Sequence, residues 1–280
     1  GVLVINAFVN YALIFGYWGF PEYGLKGAAI ASVIAGALSF FGFVIYIQIY
    51  FSEQEMFARF WRTDWVTISV VSRMALPISA TALAESGLFA ASALMMGWLG
   101  HLELAAHGIV LQLAAMTFMV HMGLAQAGTV RVGKAFARQE WDAVRLTAKV
   151  SISLSTVFAI ITMACFFGIP NFLIGIFLDH KDPFSLDILR IGTLLLIFAA
   201  LFQLVDGAQV IALSILRGMQ DTRSPMIIAA VSYWLIGLPV GYVLGFIYDF
   251  KEVGIWLGLV VGLLVAAVLL WARFVILVRN

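Results

Sequence analysis

Apolar residues in this chain neither alternate as in a half-buried strand nor recur only at the spacing of one helical face. They run on for about 20 residues at a time between short polar breaks. Eight such runs cover residues 1–18, 25–50, 68–98, 104–128, 146–168, 187–215, 225–247 and 254–276. A helix needs roughly 20 apolar residues to cross a hydrocarbon layer about 30 Å thick. In lipid every backbone N–H and C=O must find its partner within the segment, so these runs predict helices, and the alternation of a barrel is absent. The expected fold is an all-α polytopic membrane bundle with eight transmembrane helices.

Composition points the same way: 63% of residues are hydrophobic and 11% charged, against roughly 45–50% and 25% in soluble domains. The net charge of +1 does not select a partner; the partner expected from composition is the lipid bilayer, with no nucleic acid. Cys165 stands alone, so no intramolecular disulfide and no Cys/His metal site is expected. The chain opens on Gly1-Val2-Leu3-Val4-Ile5 with no basic lead-in and no cleavage signal, unlike a signal peptide. It reads as starting inside a helix of a longer protein.

Lys and Arg orient the spans. Arg59, Arg62, Arg73, Arg131, Lys134, Arg138, Arg145, Lys149, Arg217, Arg223, Arg273 and Arg279 fall on one set of loops and ends, and only Lys26, Lys181, Arg190 and Lys251 on the other. Positive charge concentrates on the cytoplasmic side, which places the first set and the C-terminus there. Residues 51–67 then form a cytoplasmic connector. It mixes Glu53, Glu55, Arg59, Arg62 and Asp64 with Met56, Phe57, Phe60 and Trp61, the pattern of an interfacial amphipathic helix, and marks the boundary between two lobes.

Two carboxylates, Glu85 and Asp206, fall well inside membrane-length runs. A charge at the centre of a bilayer helix costs at least about 2.5–3.5 kcal/mol and by default marks a functional site. Glu85 follows Arg73 by 12 residues and Asp206 precedes Arg217 by 11. At about 1.5 Å per residue both sit roughly 16–18 Å from the basic edge. Two acids on separate helices near the midplane suit a coupling-ion or substrate site, with a proton or Na+ as ligand. Gln203 and Gln209 share the helical face of Asp206, and Thr81 and Ser92 share that of Glu85. With Gln112 and Met116 these glutamines are candidate cavity-lining residues. The bland alternative for each acid is a protonated group hydrogen-bonded to a neighbouring helix.

Other features carry less chemistry. Pro77 and Pro239 interrupt the helical hydrogen-bond ladder of their spans. Gly237, Gly241 and Gly245, and again Gly254, Gly258 and Gly262, have the G-x-x-x-G spacing of closely packed helices. Met95, Met96, Met116, Met119 and Met122 are core fillers or an adaptable ligand surface. His107 and His121 are expected to be packed or interfacial, with a share in a proton relay as the alternative. Gly128-Thr129-Val130-Arg131-Val132-Gly133-Lys134-Ala135 nearly matches a phosphate-binding loop. However, Ala135 offers no hydroxyl for magnesium and no strand precedes the stretch, so no nucleotide is expected. Asn10 to Gly27 and Gly241 to Gly258 echo one another in the same sense, as a parallel repeat would.

Leu76 to Ser92 (LPISATALAESGLFAAS), Ala105 to Ala135 (AAHGIVLQLAAMTFMVHMGLAQAGTVRVGKA) and Asp206 to Met226 (DGAQVIALSILRGMQDTRSPM) resemble the multidrug and toxic compound extrusion (MATE) family, its bacterial branch above all. The resemblance implies a twelve-helix, two-lobe transporter. Residues 1–50 would be the last two helices of the first lobe, 51–67 the connector and 68–280 the complete six-helix second lobe, with the first four helices of the family missing. It further implies a monomer in the bacterial inner membrane that exports organic cations or drugs against Na+ or H+ without a cofactor. Glu85 and Asp206 then match the second-lobe acids of the cation site. A lipid-linked or polysaccharide flippase of the same superfamily would instead be expected to line its cavity with basic residues. An intramembrane enzyme finds no H-E-x-x-H or G-x-S-x-G here.

Overall fold

Each apolar run becomes a helix, and every helix after the first outlasts its run. The computed structural model describes residues 2–19, 21–51, 63–178 and 183–279. In order they form α1 (Val2–Phe15), α2 (Gly24–Tyr50), α3 (Trp65–Leu99), α4 (His101–Ala137), α5 (Trp141–Gly168), the short α6 (Pro170–Gly175), α7 (Ser185–Gly218), α8 (Arg223–Ala230), α9 (Leu238–Tyr242) and α10 (Lys251–Arg279). α8 and α9 belong to one irregular helix, with π-helical turns at Val231–Gly237 and Val243–Ile247. Among the described residues seven helices are long and apolar enough to cross a membrane: α2, α3, α4, α5, α7, the α8–α9 helix and α10. The run expected over 1–18 is the 14-residue α1, shorter than a full crossing. Most of the expected connector, including Glu53, Glu55, Met56, Phe57, Arg59, Phe60, Trp61 and Arg62, lies outside the described residues, as does Lys181.

Backbone contacts divide the chain into two units, residues 1–66 and 67–280. In the first, α2 folds back on α1. Tyr23 N–H donates to Leu13 C=O at 3.0 Å, and a Cβ on Gly27 would strike the Leu13 carbonyl. Ala12, Leu13, Ala31 and Ala35 are buried between the two helices.

The second unit is built around α7. From Gln209 to Leu216 every residue is buried, as expected of a helix covered on all sides. α4, α5 and α10 pack directly on it. One core joins Leu88, Met96, Val110, Leu195, Leu196, Tyr233, Trp256 and Leu263. A second joins Val132, Val144, Ile211, Ile215, Leu216 and Phe274 at the end where the basic residues collect. Contacts fix that end. Asp221, in the turn after α7, accepts from Arg273 Nε at 2.8 Å through Oδ2 and from Ser224 N–H at 3.2 Å through Oδ1, so one carboxylate both caps α8 and ties it to α10. Arg145 at the start of α5 donates to Val278 C=O at 2.9 Å.

Several sequence expectations meet their geometry here. The two glycine triplets face each other: a Cβ on Gly262 would lie 2.9 Å from Gly237 Cα, and one on Gly258 would collide with Gly241 backbone. Pro77 leaves α3 unbroken, whereas Pro239 sits between the two π-helical turns. Without an N–H, Pro239 leaves the usual ladder unfinished, and longer-range turns such as Leu238 N–H to Tyr233 C=O take it up. Met95 and Met96 are buried but Met116 and Met119 point outward, so the methionines form no single cluster. His107 and His121 are buried. Nε2 of His107 lies 3.4 Å from Ser92 Oγ, and Nδ1 of His121 lies 2.8 Å from Ser155 Oγ. Residues 128–135 are continuous α4 helix. Their N–H groups serve the helix ladder, so these residues form no phosphate-cradling loop.

Candidate cation site

α3, α4 and α7 enclose a cavity of about 340 Å³, and both Glu85 and Asp206 line it. The polar wall consists of these two acids and Gln112. The rest is apolar, with Phe89 from α3, Phe118 from α4 and Phe202 from α7. Volume and lining fall in the range of small-molecule pockets, which are mostly hydrophobic with a few placed polar groups. Phenyl faces beside carboxylates favour a cation with an apolar body. Asp206 is 2% exposed and Glu85 is half-buried. The two lie within electrostatic reach of each other, and Glu85 also of Arg217 and Tyr233.

Side chains hold α3 against α7 and against the α8–α9 helix. The rings of Phe89 and Phe202 meet edge-on at 6.0 Å. Trp234 Nε1 donates to Ala84 C=O at 3.2 Å, next to Glu85 in sequence. The Trp234 ring lies on Gly87, where a Cβ would come within 2.6 Å of it.

The structure brings Glu85, Asp206 and Gln112 to one cavity, and three other expected lining residues lie outside its wall. Gln203 is fully buried and donates through Nε2 to Ala114 C=O at 3.0 Å, tying α7 to α4. Gln209 is equally buried and donates to the Tyr233 hydroxyl at 2.7 Å. Both amides serve helix contacts because a buried donor left unpaired is costly. Met116 is 57% exposed and absent from the cavity wall, since α4 turns that position outward. Thr81 and Ser92 donate to carbonyls of their own helix, Pro77 and Phe89, at 2.8 Å each, and Ser92 also meets His107 of α4.

Sequence reasoning missed the aromatic walls and the Tyr233–Trp234 pair. Phe89 follows Glu85 by four residues and Phe202 precedes Asp206 by four, so the same-face rule would have found them. Nothing in the local pattern marks Tyr233. It lies in a π-helical turn and accepts a hydrogen bond from Gln209.

The Tyr233–Gln209 bond is expected to show the cost of an orphaned donor. Tyr233→Phe leaves Gln209 Nε2 without its acceptor and is expected to destabilise by about 1–3 kcal/mol. Adding Gln209→Leu removes both partners and should recover most of that loss. Thermal melting of the detergent-solubilised variants checks this; a double variant less stable than the single one contradicts the assignment.

The family model MatE matches residues 77–243. A probable multidrug resistance protein NorM of Agrobacterium fabrum is 42% identical over 281 residues, which cover 100% of this chain and 60% of that protein. The protein of the same name from Rhizobium meliloti is 44% identical over 281 residues, covering 99% of this chain and 60% of that one. The chain therefore spans about 60% of the length of these curated relatives. The fold is shared with the crystal structure of the eukaryotic MATE transporter AtDTX14, at a TM-score of 0.86 and 20% identity over 98% of this chain and 60% of that one. It is shared also with an outward-facing multidrug resistance MATE family transporter, at a TM-score of 0.80 and 16% identity over 98% of this chain and 61% of that one. With the family model covering more than half of its residues, the chain belongs to the MatE family, the multidrug and toxic compound extrusion proteins.

Proposed function

We propose that the protein is a secondary multidrug transporter that exports organic cations across the bacterial plasma membrane in exchange for Na+ or H+. The observation that carries this reading is one apolar cavity of drug-binding size holding the Glu85 and Asp206 carboxylates on separate helices. The coupling cation binds at these acids, and a cationic drug competes with it for the same negative charge. Alternating access then follows: the lobe rocks one way with the drug and the other way with the ion.

Two observations support the ion role. Asp206 Oδ1, in the cavity lining, is a buried acceptor that receives no hydrogen bond among the described residues. Hard cations are held by oxygens of this kind. In addition, a flippase that grips lipid phosphates would gain nothing from acids in its cavity. The domain reading assigns residues 68–280 to the second lobe, 1–50 to two helices of the first and 51–67 to the connector. The division of backbone contacts between residues 66 and 67 supports it, as does the 60% share of the relatives' length. The basic end that gathers Arg131, Arg145, Arg217 and Arg273 faces the cytoplasm in this reading, and the C-terminus with it.

Efflux of a fluorescent organic cation from cells expressing the protein is the test. Efflux is expected to accelerate under an inward gradient of one ion, Na+ or H+, and to collapse when that gradient is dissipated. Efflux indifferent to both gradients contradicts the antiport.

A further inference from the structure

A second groove, of about 470 Å³, lies between the last turns of α4 and the first turns of α5. Arg131, Lys134 and Arg138 line it from α4, at the i, i+3 and i+7 positions of one helical face. All three are exposed, and none makes an ion pair or side-chain hydrogen bond among the described residues. Glu140 is the one acid in the lining, leaving the groove cationic by two charges. The α5 wall is apolar and open: Leu146 is 62%, Val150 42% and Leu154 51% exposed.

The register of the two helices orders these groups by depth. A Cβ on Gly128 would lie 3.2 Å from Ser151 Oγ, so residues 128 and 151 are level. α4 ends and α5 begins at the same end of the bundle, so the cations occupy the rim. Val150 and Leu154 continue inward from the level of Gly128. A charged rim leading into an apolar slot on membrane-length helices matches one ligand chemistry, a phosphate at the surface with hydrocarbon below it.

We propose that this α4–α5 groove is a binding site for an anionic glycerophospholipid, its phosphate held by Arg131, Lys134 and Arg138 and an acyl chain laid along Leu146, Val150 and Leu154. Basic pockets between transmembrane helices recognise anionic lipid headgroups in this way. The near-match to a phosphate-binding loop at residues 128–135 thus acquires a different meaning. Its two cations, Arg131 and Lys134, meet phosphate through side chains on a helix face, without a backbone cradle. The site is separate from the Glu85–Asp206 cavity and does not depend on the transport reading.

Native mass spectrometry of the detergent-purified protein with phosphatidylglycerol or phosphatidylcholine of matched chains tests the site. Phosphatidylglycerol is expected to be retained about tenfold better, and the triple variant Arg131→Gln, Lys134→Gln, Arg138→Gln is expected to lose that preference. Glycerol 3-phosphate should not displace the lipid; displacement would make this a free-phosphate site and overturn the proposal. Equal retention of the two lipids, or an unchanged preference in the triple variant, would do the same. The wild-type comparison needs no variant. If the triple variant does not fold, a phosphatidylglycerol with a photoreactive headgroup is expected to label residues 124–154 of the wild type, and labelling only elsewhere sinks the site.

Discussion

Glu85→Gln and Asp206→Asn are each expected to slow ion-driven dye efflux by about tenfold or more. Both substitutions keep the size and shape of the side chain and remove only its charge. A hydrogen bond or ligand contact to a charged group contributes about 1.5–3 kcal/mol, and each 1.4 kcal/mol is a factor of about ten. The double variant should be little worse than the more severe single one, because groups acting on one ion are not additive. Stability should move the other way. Asp206 is 2% exposed in a cavity lining that is otherwise mostly apolar, and replacing its carboxyl with a neutral group of equal volume relieves desolvation. Loss of efflux with an unchanged or higher melting temperature therefore separates an ion role from a structural one. Near-normal efflux in both variants, at wild-type expression, removes the acids from the mechanism.

Gly258→Leu is expected to destabilise the protein by at least about 3 kcal/mol, at the upper end of the overpacking range. Even a Cβ at this position would overlap the Cα and N of Gly241 and sit 2.7 Å from Gly237 C=O. The obstacle is backbone, which cannot swing aside as a long side chain can. Gly123 is the internal control: a Cβ there meets nothing within 4 Å. Gly123→Ala should be neutral or stabilising by up to about 1 kcal/mol through helix propensity. Melting temperature and the monodisperse fraction on size-exclusion chromatography read both variants. A Gly258→Leu protein as stable as the wild type would mean that α10 and the α8–α9 helix are not in backbone contact.

The helices were legible because a bilayer imposes long apolar runs. Their ends were not. The run over 104–128 becomes a helix to Ala137, because hydropathy marks the depth of lipid whereas the helix continues into the polar zone with Arg131 and Lys134. Glu85 and Asp206 were legible because charge within such runs is rare, and both residues line one cavity. Gln203 and Gln209 were legible as polar groups needing partners. Which partner each would find, the Ala114 carbonyl or the Tyr233 hydroxyl, depends on helix rotation, which a nearly uniform apolar sequence does not encode. Tyr233 and Trp234 were hidden for a related reason: an aromatic among aliphatics carries no periodic signal, and the π-helical turn that aims them leaves no mark in composition.

The paired glycines of α10 and the α8–α9 helix also limit what second-site change can repair. In a core of leucines and phenylalanines, an enlarged residue is offset by a smaller neighbour. Position 258 faces position 241, and position 262 faces position 237, and each partner is already the smallest amino acid. No suppressor substitution across this interface can restore the lost space. Random mutagenesis starting from a damaged Gly258 variant should therefore return revertants at that codon, or changes that stabilise the protein elsewhere, but not a compensating partner.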